Sequence, residues 1–417
     1  MVTATLKHIK DFHYWNLGPD GTYQNGFYPS MVRVPGRKGY IGTCRNGKAN
    51  LDDVLHIIHY DDDFNLTYRK EITKGEDPRT FVFNGKAYSL TWDPNHQEIL
   101  RYKLVDLIDE KVINKVIQDN FAALAPSYFT LTSNWFVRAY DHYKDIDKFV
   151  LIIYLIHQDL IYFRQNGVKI NYDTFYKDKP IEINKINISD ISKDLGIPKE
   201  SIRRKVLELE KLKVIKRTGK KMFVVRDTLY SAKAVDTLTE VANILYEFNK
   251  ILKKEKLVTE VYSVKEIILA IKENFSYCLY QFNKFWFIFI KRWREELKDL
   301  EVFAIGMVVV INTIKNPKFT PKKPNLDSYR KEIQGSDKRG VNAMSISEIT
   351  GIPRPTVVRK IKYLVDKKFL HINDKKLITY NAKDSAFVTT KGMVNKNVLS
   401  LSHFIYKVFN QIRIINN

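Results

Sequence analysis

Cysteine is scarce in this sequence, because 417 residues contain only Cys44 and Cys278. Two distant cysteines provide neither a disulfide framework nor a cysteine-based zinc site, and such usage is typical of a reducing compartment. The sequence also lacks a glycine loop for phosphate, a paired-histidine metal helix and a nucleophile elbow. We therefore expect no metal, no cofactor and no enzymatic activity. With no signal segment in residues 1–11, we expect a cytoplasmic protein.

Long apolar runs are lacking as well. The two longest are 149–163 and 302–314, and the first is interrupted by His157, Gln158 and Asp159. A membrane-spanning helix needs about 20 mostly apolar residues. These runs therefore predict buried core helices, and no membrane partner is expected.

Positive charge is plentiful but unevenly distributed. The chain has 69 Lys and Arg against 47 Asp and Glu, a formal net charge of +22. Residues 1–120 contain 16 basic and 16 acidic residues, so the whole excess lies in residues 121–417. Such asymmetry predicts a polyanionic partner for the second part of the chain only.

The first part of the chain is predicted to be β-rich. Residues 30–34, 54–59, 80–83 and 87–92 read as short strands between Gly, Asp, Asn and Pro turns. Asn84-Gly85 is typical of a hairpin turn. After residue 111 the spacing becomes helical, so residues 1–115 form the predicted all-β segment, with a boundary in 112–132.

A family resemblance accompanies this β-rich segment. Its carrying residues are Tyr28-Pro29-Ser30-Met31-Val32, Gly42-Thr43-Cys44-Arg45, Gly75-Glu76-Asp77-Pro78-Arg79-Thr80-Phe81 and Asn84-Gly85-Lys86-Ala87-Tyr88. Residues 27–110 resemble the first blade or blades of a five-bladed β-propeller glycoside hydrolase or phosphorylase. The resemblance implies that Arg45 and Asp77 lie near a sugar site. One or two blades do not close a propeller, so the segment is expected to be a fused or truncated piece that senses sugar or docks.

The second part of the chain repeats itself. A shift of 155 positions aligns residues 196–223 with 351–378 without a gap, at 9 identities in 28. The apolar helices upstream, beginning near Lys144-Asp145 and Lys298-Asp299, match too. This self-similarity indicates internal duplication.

Each copy contains the pattern of two short helices joined by a tight turn. In the first copy, Gly196 ends one predicted helix and Pro198 suits the first turn of the next. Core positions Ile202, Val206 and Leu209 follow helical spacing. A strand, a basic turn and a strand then follow over 214–225, and 370–379 repeats them with an Asn-Asp turn.

These segments resemble winged helix-turn-helix transcriptional regulators. In that family the second helix enters the major groove of DNA and the wing touches the phosphate backbone. The resemblance and the basic composition give the following predicted DNA-binding residues: Lys199, Ser201, Arg203, Arg204, Lys205, Lys220 and Lys221 in the first copy, and Arg354, Thr356, Arg359, Lys360, Lys375 and Lys376 in the second.

The sequence therefore predicts an α+β protein with two tandem, mainly helical winged units. They are expected at 130–230 and 280–395, joined by amphipathic helices at 231–275 and followed by a C-terminal helix at 396–417. The expected function is sequence-specific binding of double-stranded DNA in transcription regulation. The alternative is a carbohydrate-binding or glycoside-processing protein related to β-propellers. The seam Leu238, Val241, Leu245, Phe248 and Leu252 favours packing within one chain over a homodimer contact. A small-molecule or sugar effector stays open.

Overall fold

The computed structural model describes residues 26–34, 37–46, 54–74, 76–83, 86–93, 98–103, 108–177, 181–183, 187–218, 221–225, 234–316, 319–333, 340–380 and 385–416. The protein contains both helices and sheets, in agreement with the predicted α+β class. By its contacts the chain divides into two compact units. The first comprises Met1–Asp109, Lys250–Val261 and Arg413–Asn417, and the second Glu110–Asn249 and Tyr262–Ile412.

The described part of the first unit contains two antiparallel sheets. One has four strands in chain order: β1 (Gly26–Val32), β2 (Tyr40–Asn46), β3 (Val54–Tyr60) and β4 (Leu66–Lys74). The other has three: β5 (Glu76–Phe83), β6 (Lys86–Asp93) and β7 (Glu98–Lys103). Phe83 pairs with Lys86, so β5 and β6 form the predicted hairpin around Asn84-Gly85.

Buried hydroxyl groups join the two sheets. The Thr43 Oγ1 atom lies 2.9 Å from Thr80 Oγ1 and 3.0 Å from Ser89 Oγ. The Thr80 backbone N–H donates to Ser30 Oγ at 2.7 Å. Beside these contacts, Ile41 and Ala87 belong to one apolar cluster. Alternate residues of β2, Ile41 and Thr43, thus face a shared core.

Among the described residues, two copies of a repeat of seven helices make up most of the second unit, and the ends of α7 and α14 extend into the first. The first copy contains α1 (Glu110–Asp119), α2 (Phe121–Tyr143), α3 (Ile146–Gln165), α4 (Tyr172–Lys177), α5 (Ile188–Leu195), α6 (Lys199–Lys211) and α7 (Ala234–Lys254). The second contains α8 (Val264–Glu273), α9 (Phe275–Leu297), α10 (Leu300–Ile314), α11 (Leu326–Ile333), α12 (Ala343–Thr350), α13 (Arg354–Asp366) and α14 (Ser385–Asn416). The duplication thus extends well beyond the predicted modules, because the helices predicted as connectors belong to the repeats.

The two repeats interlock within this unit. Helix α3 packs against α9, and α10 packs against α2, so each repeat places its apolar helix on the long helix of the other. Aromatic rings fill the junction, where the Trp135 and Trp286 rings stack with centroids 4.4 Å apart. The predicted core helices at 149–163 and 302–314 are therefore confirmed as buried elements, and Val150, Leu151 and Ile305 are fully covered.

A small sheet follows the same plan in both repeats. In the first, β8 (Ile181–Ile183) precedes α5 and pairs with β10 (Lys221–Val224), which also pairs with β9 (Ile215–Thr218). In the second, Val341 precedes α12 and bridges Ile378 of β12 (Ile378–Tyr380), which pairs with β11 (Leu370–Ile372). Both predicted hairpins are confirmed.

The predicted seam on α7 faces inward, with Leu245 and Phe248 completely buried within the chain. Among the described residues, no helix combines the length and the apolar character that crossing a membrane would require.

Candidate nucleic-acid interface

Helices α6 and α13 begin in the same way, because in both repeats a glycine ends the preceding helix and a proline two residues later begins the next. Gly196 and Gly351 end the preceding helices with φ of 65° and 69°, a left-handed conformation that costs glycine little. Pro198 and Pro353 are the N-caps of α6 and α13. The result in each repeat is a pair of short helices joined by a tight turn.

Each of these helices exposes one stripe of side chains, and the stripes occupy equivalent positions. We call them the first stripe and the second stripe. The first stripe consists of Lys199, Glu200, Arg203, Arg204, Leu207 and Lys211, and the second of Arg354, Pro355, Val358, Arg359, Lys362 and Asp366. The opposite faces bury Ile202, Val206 and Leu209, and Val357, Ile361 and Leu364. Burial of one face thus leaves the basic stripes in solvent.

The arginines of the first stripe are paired with carboxylates. Arg203 makes an exposed ion pair with Glu200, one turn earlier on α6. Arg204 Nε lies 3.7 Å from Glu208 Oε1, while Lys148 Nζ lies 2.6 Å from Glu208 Oε2. The hydrogen bond from Lys148 holds the pKa of the Glu208 carboxyl below its ordinary value. Half of this stripe's charge is therefore compensated locally.

The second stripe has no such carboxylates at the matching places. Pro355 stands where the first repeat has Glu200, and Tyr363 where it has Glu208. Among the described residues, Arg354 and Arg359 form no ion pair, and both are exposed. Guanidinium groups in this state offer several N–H donors in a fixed fork.

Two predicted contact residues, Lys205 and Lys360, do not face solvent. They are only 7% and 8% exposed. Lys205 Nζ pairs with Asp145 and lies 3.8 Å from Asp147 Oδ2, and Lys360 Nζ pairs with Asp299 and lies 2.9 Å from Glu301 Oε2. The prediction that these lysines contact DNA is thereby corrected.

These ion pairs attach each exposed helix to its scaffold helix, and we call them the lysine clamps. Asp145 is the N-cap of α3 and accepts the backbone N–H groups of Asp147 and Lys148. Asp299 caps α10 in the same way, accepting from Glu301 N. The anionic cap also suits the positive end of each helix dipole. One carboxylate therefore both starts the scaffold helix and holds the lysine of α6 or α13.

The two clamps differ in a third partner. Arg294 of α9 also donates to Asp147, at 2.6 Å. In the second repeat, Tyr140 of α2 stands in the matching place. Burial raises the Tyr140 pKa, and the negative charges of Glu301 and Asp145 raise it further. Gly196 lies 3.5 Å from Arg294, and Gly351 lies 3.9 Å from Tyr140, measured from an added Cβ. Each turn is thus seated on the long helix of the other repeat.

The remaining predicted residues divide between described and undescribed parts. Lys375 and Lys376 are exposed in the turn between β11 and β12. Ser201 and Thr356 are half-buried beside the stripes. Lys220 lies outside the described residues, and the side chains of Lys221, Arg45 and Asp77 do as well.

Sequence reasoning missed three exposed lysines that extend this surface. Lys211 and Lys362 continue the first and second stripes, and Lys216 is exposed on β9. Their spacing provided a signal, since position 211 follows 204 and 207 by seven and four residues on a helix.

Comparison of the chain with protein-family models, with curated proteins and with solved structures found no match to any of them.

Proposed function

We propose that the protein binds double-stranded DNA sequence-specifically through two tandem winged helix-turn-helix units and regulates transcription. The observation that carries the proposal is the pair of exposed basic stripes at equivalent positions of α6 and α13. In this proposal those helices enter the major groove, and the β9–β10 and β11–β12 hairpins contact the phosphate backbone.

The order of elements supports this assignment. Leaving aside the short helices α4 and α11, the first repeat runs α3, β8, α5, α6, β9, β10, and β8 pairs with β10. The second runs α10, the single bridge residue Val341, α12, α13, β11, β12, and Val341 bridges β12. This is the arrangement expected of a winged helix, with α3 and α10 as the supporting first helices. The turn at Gly196 or Gly351 then presents the second helix of the pair outward, as groove insertion requires.

Local charge supports the choice of partner. Residues 201–226 contain ten Lys and Arg against two Glu, and residues 354–376 contain eight against two Asp. Neutralising phosphates with such clusters releases counterions and supplies most non-specific affinity. Arg354 and Arg359 have the donor geometry that reads guanine O6 and N7, so we assign base reading chiefly to α13.

Selection of bound fragments from random duplex DNA tests the proposal as a whole. With the full chain, we expect a motif of two parts, because two grooves are read by one protein. Recovery of no enriched sequence would contradict sequence-specific recognition.

A single substitution tests the surface. Arg359→Ala should weaken binding to the selected site roughly 10- to 100-fold by removing a base contact. Filter binding or fluorescence anisotropy at several salt concentrations measures this. The matched control is Arg164→Ala, which removes another exposed arginine, and its affinity should equal that of the natural chain. Equal affinities for both variants would place the DNA surface elsewhere.

A further inference from the structure

Among the described residues, the interlocking of the repeats leaves a pair of apolar cavities of similar size that are partly open to solvent. One, the first cavity, has a volume of about 140 Å³ and is lined by residues such as Phe149 and Phe175 of the first repeat and Phe275 of the second. The other, the second cavity, also has a volume of about 140 Å³ and is lined by the equivalent Phe303, Tyr329 and Phe121. They are related by the duplication. Apolar cavities of about 150 Å³ can bind a molecule of the size of benzene.

The second cavity differs from the first in its polar groups. Tyr329 is 2% exposed, and its hydroxyl group has no hydrogen-bond partner among the described residues. The indole N–H of Trp293 is also buried without a partner there. Both residues line the second cavity. In the first repeat their places are taken by Phe175 and Ala139, which have no polar side-chain atom.

The Trp293 and Tyr329 donors indicate what kind of ligand would fit the second cavity. An indole N–H can only donate a hydrogen bond, and a tyrosine hydroxyl can donate one. A buried donor without an acceptor costs free energy, so a ligand that supplies an acceptor binds favourably. Arg330, the sole charged residue among the described residues that line this cavity, adds positive charge.

The second cavity also reaches the proposed DNA-binding unit. Leu364 of α13, Leu370 of β11 and Tyr380 of β12 line it. An added Cβ on Gly306 of α10 would lie 3.7 Å from Leu364 Cδ1, so α10 leaves space beside α13. The first repeat has Ile152 in place of Gly306, and its α6, β9 and β10 do not line the first cavity among the described residues.

We infer that the second cavity is a binding site for a small single-ring molecule with a carbonyl or carboxylate acceptor. Trp293 and Tyr329 donate to that acceptor, and the surrounding aromatic rings cover the apolar part. Because the ligand contacts Leu364, Leu370 and Tyr380, its binding changes the affinity of α13 for DNA. This coupling rests on the proposed function, whereas ligand binding itself does not.

Calorimetric titration of the full chain tests the site with three probes of similar size. Acetophenone supplies a neutral acceptor, benzoate an anionic one and toluene none. We expect at least one of the first two to bind more tightly than toluene, and their order identifies the acceptor class. Failure of both to bind more tightly than toluene would overturn the inference.

Two variants locate the site. Tyr329→Phe should weaken the acceptor-bearing probe on the order of tenfold while leaving toluene unaffected. Gly306→Val fills the space beside Leu364 and should weaken all probes. The matched control is Tyr162→Phe, which removes a hydroxyl group from a tyrosine that is 53% exposed. Unchanged acceptor binding by Tyr329→Phe would overturn the assignment even if the glycine variant did not fold.

The coupling is measured separately, as DNA affinity with and without saturating probe. We expect a change of about fivefold or more. Probe binding with no change in DNA affinity would overturn the coupling and leave the site standing. Loss of DNA binding under all conditions, with probe binding intact, would instead contradict the proposed function.

Discussion

The two helical repeats share one architecture but differ in how their exposed helices hold charge. In the first stripe, Arg203 and Arg204 are paired with Glu200 and Glu208. In the second, Arg354 and Arg359 have no ion-pair partner among the described residues, since proline and tyrosine replace the two glutamates. The two repeats thus share their scaffold but differ in their exposed faces. Under the proposed function, we therefore expect α13 to read bases and α6 to contribute mainly affinity.

The two lysine clamps should differ in how much each stabilises the fold. Lys360→Ala leaves Asp299 and Glu301 without their cation, and we expect the free energy of unfolding to fall by about 2 to 3 kcal/mol. Lys205→Ala should cost less, because Arg294 still pairs with Asp147. Urea denaturation measures both.

An exposed lysine on the same helix serves as the control for these variants. Lys362→Ala should change stability by no more than about 0.5 kcal/mol. Its DNA affinity should fall instead, since it extends the second stripe. Equal stability of the Lys360 and Lys362 variants would show that the clamp does not hold α13.

The repeats should also differ in their response to acid. His157 of α3 is buried, its ring stacks on Tyr280 at 4.8 Å, and burial, with a smaller effect of Lys284, lowers its pKa from 6.5 to about 4. The unfolded chain therefore binds a proton that the folded chain excludes. This histidine contributes stability above pH 6.5 that is lost as the pH falls toward 4, roughly 2 kcal/mol by pH 5.

The second repeat supplies the variant for this test, because Ile311 occupies the matching position. His157→Ile should flatten the dependence of the unfolding free energy on pH between 7 and 5. The control His371→Gln alters an exposed histidine and should leave that dependence in place. A natural chain equally stable at both pH values would contradict the role of His157.

A change in the charge of the first stripe should alter DNA affinity only modestly. Glu200→Gln releases Arg203 and removes a negative charge, giving α6 a face more like that of α13. We expect DNA affinity to rise about two- to threefold, as suits an exposed ion pair. The control Glu295→Gln removes an exposed carboxylate from α9. A rise shared by both variants would indicate a general charge effect.

Much of the fold could be predicted from local sequence. The ends of α5, α6, α12 and α13 could be predicted closely. Glycines mark where α5 and α12 end, prolines mark where α6 and α13 begin, and the core residues follow helical spacing. The hairpins followed from short strand-like runs and the turn residues between them. The extent of the repeat could not be predicted in this way, because α2 and α9 are apolar over much of their surface and share few identical residues. The equivalence of α2 and α9 becomes visible only in the fold, where each packs against the apolar helix of the other repeat.

The burial of Lys205 and Lys360 shows where sequence reasoning failed and why. Position 205 lies three residues after Ile202 and four before Leu209, so helical geometry places it on the core face. The positive charge of Lys205 and Lys360 suggested contact with DNA, but their positions on the core face of α6 and α13 bury them. The second cavity was also beyond prediction, because Trp293, Tyr329 and Gly306 are distant in sequence and converge only in the folded unit.

Each glycine turn packs against the long helix of the other repeat, and this contact limits which DNA sites the protein could bind. Gly196 against Arg294 and Gly351 against Tyr140 make the distance between the two proposed recognition helices a property of the packed helices. Under the proposed function, the fixed spacing of α6 and α13 therefore allows only one spacing between the two DNA half-sites. Inserting half a helical turn of DNA between those half-sites should abolish simultaneous engagement.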